Sequence, residues 1–442
     1  MPGPGTHPAG TPAEPRSEFL RAKLYHRAAV RLAAAAWRRM LRNTRFIAVT
    51  GSFGKTTVTR GLAAVLEQRG QLLASCNEFI NGVNQPLGVA ESVLKVRPRH
   101  RIAVMEIGTN QPGILRRQAQ VVRPDIVVVT NVGDAHPELL PSLEDVALEK
   151  GALVEGMRRS GVAVLNADDP RVAGMARRAP GRVTTFGENP NAILRATDVE
   201  FRWPGRLRFQ VHRGTESSEV CTRLTGRMWL APVLAIMATA LECGVTLQEA
   251  ASTVAGLEPS TGRMQAVPLP NGAILIRDDF NRATATLDVA LDLLRDAACA
   301  RRVLIINDMK DPTRDLPERM RYIGRRTAER ADLALFAGPG ADHARAAAIE
   351  AGMEPTRIFT ADSFREAAAF IREQTQAGDV VLLRNGIGPH LARLYYASLG
   401  EIGCWLDRCP YEQLCDSCSQ LQFVPESALK QTGGELGASS VG

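Results

Sequence analysis

From Arg45 to Asn385 the chain repeats one pattern, a short unbroken run of apolar and β-branched residues followed by a helical segment. The runs "FIAVT" (46–50), "RIAVMEIG" (101–108), "DIVVVTNVG" (125–133) and "GVAVLNADD" (161–169) lack the in–out alternation of a half-solvated strand. Strands of that kind are covered on both faces, and covering them takes helices that return the chain for another parallel strand. The pattern therefore predicts an α/β fold around a mostly parallel sheet, with helices over Thr56–Gln68 and Leu143–Arg158. Residues 190–225 are more polar and β-rich, and 229–256 read as two helices broken at Gly244-Val245-Thr246. The stretch "LEPSTGRMQAVPLPNG" (257–272) holds three prolines and marks a domain boundary. Beyond it the alternation restarts with "AILIRDDF", "RVLIIND", "LALFAGPG", "RIFTA" and "DVVLLRN", a second, Rossmann-like α/β unit. A chain of 442 residues is in any case too long for one core. The expected division is a disordered arm (1–17), a basic helix (18–44), a central domain (45–258), a C-terminal domain (259–399), and a Cys-rich knuckle with a flexible tail (400–442).

The first strand runs into "TGSFGKTT" (50–57) and then into a helix. A Gly-rich turn at a helix N-terminus offers backbone N–H groups and positive potential to phosphate oxygens. Gly51, Ser52, Phe53, Gly54, Lys55, Thr56 and Thr57 are the candidate nucleotide contacts, with Lys55 on the terminal phosphates and the Thr56 hydroxyl on Mg²⁺. The loop is shorter than G-x-x-x-x-G-K-[ST], because only Ser52 and Phe53 separate Gly51 from Gly54. Glu106, His136 and Asn166 follow three other strands, and Lys150 lies on the helix after His136. Ligands of open parallel sheets bind beyond the carboxyl ends of the strands, so Lys55, Thr56, Glu106 and His136 are expected to share one crevice. Thr, Glu and His together suit Mg²⁺ beside a triphosphate.

Net charge is +7, and residues 1–45 hold nine Lys/Arg against two Glu, so 9 − 2 = 7 and the rest is neutral. The basic pI therefore reports a basic N-terminal arm and is no sign of nucleic-acid binding by the main body, and no nucleic-acid partner is expected. Lys23, Arg27, Arg31, Arg38 and Arg42 recur at helical spacing on one face. The helix that carries them reads either as packed on the domain or as a contact with an anionic membrane surface or an acidic protein partner. No run is apolar enough for a membrane span, and eight Cys without an export signal lead to the expectation of a cytoplasmic protein.

Read together, "TGSFGKTT", "MEIGTNQPG", "TNVGDAHPE", "SLEDVALEKG", "VLNADDP", "STGRMQ" and "RDDFNRATAT" resemble the Mur ligase family, the ATP-dependent amide-forming ligases of peptidoglycan precursor synthesis. The resemblance runs over residues 44–395 and is closest to the branch that adds D-alanyl-D-alanine to the UDP-muramoyl tripeptide. It implies that Lys55 and the loop amides hold ATP, and that Thr56 and Glu106 ligate one Mg²⁺. It further implies that His136 and a carbamylated Lys150 serve a second Mg²⁺. Arg263 would reach the phosphates from the C-terminal domain, Asp278 or Asp279 would face the ribose, and Asn166 would join the nucleotide contacts. A carboxylate substrate would then become an acyl phosphate, with release of ADP, and an amine substrate would displace phosphate to give the amide.

The chain departs from the family pattern in three places. Before Phe46 it has an arm and one helix where the peptidoglycan enzymes have a UDP-binding domain, so an atypical, non-UDP-muramoyl substrate is expected. Met228, Trp229 and Pro232 stand where the family has a His-Asn motif, and "LLRNGIGPH" replaces a Lys-Gly-Ser turn used for the amine substrate. Cys404, Cys409, Cys415 and Cys418 have no counterpart in that branch. Structural Zn²⁺, an iron–sulfur cluster and free thiols all remain open for them. Besides the ligase, two readings stand: a nucleotide-binding partner of another protein, and an amidating subunit fed with ammonia by a glutaminase.

Overall fold

The computed structural model describes residues 15–76, 83–109, 111–133, 139–280, 284–309, 311, 313–384, 390–406, 409 and 414–427; His136 lies outside them. Two large sheets organise the chain. The first contains β1 (Arg45–Thr50), β2 (Leu72–Ser75), β3 (Ile102–Glu106), β4 (Ile126–Val129), β5 (Val162–Asn166), β6 (Arg182–Gly187), β7 (Leu194–Glu200), β8 (Arg208–Arg213) and β9 (Glu216–Cys221). Their order is β2-β3-β1-β4-β5-β6-β7-β8-β9, parallel from β2 to β7 and antiparallel across β7, β8 and β9. The second sheet contains β10 (Gln265–Pro268), β11 (Ile274–Asp278), β12 (Arg302–Asn307), β13 (Leu333–Ala337), β14 (Ile358–Ala361) and β15 (Val380–Arg384), in the order β10-β11-β15-β12-β13-β14. Only β10 is antiparallel there.

β1 shows why an unbroken apolar run was required. Ile47 and Val49 pack with Val58 and Leu62 of helix α2 (Lys55–Leu66) on one face. Phe46 and Ala48 pack with Val89 and Val93 of helix α3 (Pro86–Lys95) on the other. Burying a Leu, Val or Ile contributes about 1.5–3 kcal/mol, so a polar residue on either face of this strand is costly.

The N-terminal helix, α1 (Pro15–Met40), lies against α3 and α4 (Ile114–Val122). Trp37 donates its indole N–H to Val96 O at 2.8 Å. The Arg38 side chain is buried over the Phe46 ring, 4.0 Å from its centroid. It donates to Val122 O (2.7 Å), Arg123 O (3.0 Å), Leu41 O (3.2 Å) and Asp125 Oδ2 (2.9 Å). The packed reading of this helix accounts for its second half. No helix among the described residues is long and apolar enough to cross a membrane.

Three strands escaped the sequence pattern. β2 is a half-exposed edge strand of four residues, and β6 begins at a polar arginine. β10 lies inside the proline-rich stretch. Its terminal Pro268 is tolerated because β10 is an edge strand, where the missing N–H leaves no partner wanting. The Cys-rich segment is not simply an exposed knuckle. Cys415 and Leu421 are buried with Leu383 and Leu394, and Asp416 accepts from Arg277 at 2.7 and 3.0 Å and from the Tyr396 hydroxyl at 2.9 Å.

Candidate nucleotide and metal site

β1 sits between β3 and β4, where the strand order reverses, and the crevice at such a reversal is the expected ligand position. The loop from Gly51 to Gly54 leaves β1 there and turns into α2. Gly54 takes φ 84° at the helix N-cap, and a Cβ on it would meet Pro232 Cγ at 2.7 Å. A Cβ on Gly51 would meet Thr130 Oγ1 at 1.9 Å. Both positions therefore need glycine.

The loop is braced from the end of β4. Asn131 Oδ1 accepts from the N–H groups of Ser52 (2.9 Å) and Phe53 (2.8 Å), and Thr130 Oγ1 donates to Phe53 O (2.7 Å). Ser52 Oγ donates to Gly133 O at 2.9 Å. Since Asn131 takes the Ser52 and Phe53 N–H groups, the amides of the first turn of α2 are the ones left for a phosphate. The Phe53 ring packs against the buried Trp229 ring, 5.5 Å between centroids. Trp229 is thus a core residue that backs the loop.

Charged side chains interact with Lys55 at this turn. Lys55 Nζ donates to Gly51 O at 2.7 Å. Its ammonium is held below the usual lysine range by burial, with Arg263 acting in the same direction and Glu106 opposing. Glu106, 2% exposed at the end of β3, accepts from Thr56 Oγ1 at 3.0 Å and from Asn84 Nδ2 at 2.9 Å. Lys150 lies on α5 (Leu143–Glu155), whose N-terminus is closed by a capping box of Ser142 and Asp145. The Lys150 side chain is buried, and burial first, then Lys55, push its amine down to about 7 against the pull of Glu149. Glu149 itself anchors the start of α4, accepting from Gly113 N and Leu115 N, each at 2.7 Å.

The second sheet contributes Arg263, whose guanidinium carbon is 4.8 Å from the Phe280 ring centroid and whose charge is felt by both Lys55 and Asp278. Asp278 is buried and ion-paired with Arg384, which also donates to Thr286 Oγ1 at 2.5 Å. Burial nonetheless raises the Asp278 carboxyl to about 6. Asp279 pairs with Arg277 at 3.0 and 3.2 Å. Asn166 donates to Thr130 O at 2.9 Å and accepts from Asp168 N at 2.9 Å, bracing the end of β4.

Thr56 and Glu106 are hydrogen-bonded, Lys55 feels the charges of Glu106 and Arg263, and Lys150 feels that of Lys55. Asp278, Asp279 and Asn166 make bonds within their own domains. Sequence reasoning missed Asn84, Asn131, Thr130 and Glu149. Of these, Thr130 and Asn131, which open "TNVGD", and Glu149, beside Lys150, lay within quoted motifs; Asn84 did not.

The donors at the loop are a carboxylate and a hydroxyl, hard oxygen ligands of the kind Mg²⁺ takes when it keeps several waters and shares phosphates. They fit the ion. At the Cys cluster, among the described residues no group of three or more His, Cys, Asp or Glu side chains is placed to hold a metal, and the four cysteines carry free thiols. Cys415 is turned into the core instead, with Sγ 3.9 Å from His390 O.

Residues 49–240 match the family model described as the Mur ligase middle domain, and residues 262–384 match that described as Mur ligase, glutamate ligase domain. The UDP-N-acetylmuramoyl-tripeptide–D-alanyl-D-alanine ligase of Escherichia coli K12 is 31% identical over 63% of this chain and 60% of its own length. Its counterpart in Mycobacterium tuberculosis CDC 1551 / Oshkosh is 30% identical over 81% of this chain and 73% of its own length. Among solved structures, MurF from Acinetobacter baumannii superposes with a TM-score of 0.71 at 24% identity, covering 81% of this chain and 77% of that one. MurF ligase from Thermotoga maritima in complex with ADP gives 0.69 at 19% identity, covering 81% and 80%. At these identities the two structures speak for the fold.

Proposed function

The chain belongs to the Mur ligase family, and we propose that it is an ADP-forming, ATP-dependent carboxylate–amine ligase. The carrying observation is the Thr56–Glu106 bond, which ties the start of α2 to the end of β3, with Lys55 beside them under the electrostatic influence of Glu106 and Arg263. Two cationic groups, Lys55 and Arg263, and a helix N-terminus suit a polyphosphate. Phosphoryl transfer asks a protein mainly for positioning and charge neutralisation.

In the proposed first step a substrate carboxylate oxygen attacks the γ-phosphorus of ATP, the β–γ bridge breaks, and ADP leaves an acyl phosphate. Lys55 and the first-turn amides of α2 hold the phosphate chain, and Arg263 approaches it from the second sheet. In the second step the lone pair of an amine attacks the acyl carbon, inorganic phosphate departs, and the nitrogen loses a proton as the amide forms. Thr56 and Glu106 would hold one Mg²⁺, and His136 would help hold a second, as the family resemblance implies; the ions would supply charge neutralisation at the phosphates. An amine as deeply buried as Lys150, next to another cation, is pushed down to about 7, so a substantial share is neutral near pH 7, the state that CO₂ needs for carbamylation. Carbamylation of Lys150 would exchange a cation for an anion on the metal side of the crevice.

The amine substrate is proposed to differ from that of the D-alanyl-D-alanine branch. Arg384, where that branch has a Lys-Gly-Ser turn, is fully buried and paired with Asp278 rather than presented outward.

The test follows ADP release over a panel of carboxylates and amines, with mass detection of the amide. Lys55→Ala should abolish turnover, and Lys150→Ala should do the same with partial rescue by short-chain carboxylic acids. Normal ligation by either variant removes the mechanism.

A further inference from the structure

A cavity of about 590 Å³ is bounded by α1, α3 and α4. Arg27 and Arg31 of α1 and Arg117 of α4 line it, and no carboxylate does. Among the described residues none of the three arginines has an acidic partner. Elsewhere this chain pairs its arginines freely: Arg38 with Asp125, Arg158 with Asp125, Arg178 with Glu155. Leu87 and Ile114 contribute apolar wall.

The inner wall carries a second, independent sign. Gln118 is 2% exposed and lines the cavity, yet its Oε1 has no hydrogen-bond partner among the described residues. A buried amide oxygen left in that state costs about 1–3 kcal/mol, a cost that a ligand donor would offset. Gln118 also joins the cavity to the reaction centre. Its Nε2 donates to Asn84 O at 3.4 Å, and Asn84 Nδ2 donates to Glu106 Oε1 at 2.9 Å. Two side chains separate the cavity wall from the carboxylate proposed to hold Mg²⁺.

We propose that this cavity binds the non-reacting end of the acyl substrate, an anionic group against Arg27, Arg31 and Arg117 with an apolar stretch along Leu87 and Ile114. The proposal rests on the ligase reading for the word substrate, but the binding claim stands on the cavity alone. It makes the acyl substrate an amphiphilic molecule with at least two anionic groups, the reacting carboxylate and a second oxyacid some distance from it. α1 then does more than cover α3 and α4: it supplies two of the three cations that select the substrate.

The experiment uses the full chain without ATP and the amphipathic anion 8-anilinonaphthalene-1-sulfonate as probe. Saturable fluorescence enhancement is expected, weakened at least tenfold in the Arg27→Ala/Arg31→Ala double variant and at least tenfold for the uncharged dye lacking the sulfonate. Lys55→Ala should bind the probe as the unaltered chain does, which separates this site from the nucleotide loop. Thermal unfolding of each variant shows that it is folded. Displacement of the dye by hexyl phosphate rather than hexanoate identifies a phosphoester, and the reverse identifies a carboxylate. Binding indifferent to Arg27 and Arg31, binding lost in Lys55→Ala, equal binding of the uncharged dye, or displacement by neither acid overturns the proposal. Because the probe assay contains no nucleotide, its failure is distinct from failure of the ADP-release assay.

Discussion

Asn131 offers the sharpest test of how the nucleotide loop is shaped. Its side-chain oxygen accepts from two consecutive loop amides, Ser52 at 2.9 Å and Phe53 at 2.8 Å. Asn131→Ala removes the one oxygen that accepts both bonds, while the backbone Asn131 O still receives Ser52 N at 3.2 Å. At about 0.5–1.5 kcal/mol for each bond, the loss is about 1–3 kcal/mol. If the loop stays closed in the variant, the loss appears as lowered stability. If the loop opens, ATP must close it, and the same energy appears as an ATP Kd raised about 5- to 150-fold. Calorimetric titration with MgATP and urea unfolding, done on the same preparation, read the two shares together. Asn131→Asp is the companion variant: it keeps the acceptor but puts a negative charge against the loop, so it should fold well and bind ATP worse than Asn131→Ala. A variant Asn131→Ala with unchanged Kd and unchanged unfolding free energy would refute the claim that this side chain holds the loop.

Asn84→Ala should raise the Mg²⁺ concentration needed for half-maximal ADP release about 10- to 100-fold, since it frees one oxygen of Glu106 from its orienting bond. Arg38→Ala should cost about 3–5 kcal/mol in urea unfolding, because three carbonyls and Asp125 lose their donor together; Arg38→Lys should recover little, lacking the planar fork. Burial pushes the Cys415 thiol up to about 11, with Arg393 opposing. At pH 8 it therefore carries about a hundredfold less thiolate than an ordinary cysteine. In iodoacetamide labelling of the native protein, followed by peptide mapping, the exposed Cys221 should react well before Cys415.

The interior of the first sheet was legible in the sequence because its strands are covered on both faces, so their composition alone marks them. The edges were not. A half-exposed strand such as β2 needs no apolar run, and β10 hides behind a proline that only an edge permits. The site divides along a similar line. Lys55, Thr56, Glu106, Lys150 and Arg263 stand in short motifs whose residue types declare phosphate and metal chemistry. Asn84 and Gln118 act only through what they touch, and a lone Asn or Gln carries no such declaration until the chain has folded α3 and α4 onto β3. The Cys segment was legible only as a cluster of thiols; that Cys415 contributes apolar volume and its neighbour Asp416 a counter-charge to Arg277 depends on the fold.

The double claim on Arg277 has a practical outcome. Its guanidinium grips Asp279 in the strand-end turn that follows β11 and, from the other direction, Asp416 in the segment after the last helix. Trimming the chain at Leu399, where the second sheet and its helices are already complete, would strip that cation of half its counter-charge inside the core. Anyone cutting this domain free for separate study has to keep the stretch through Leu421, or expect an aggregating fragment from a boundary that looks safe on the strand map.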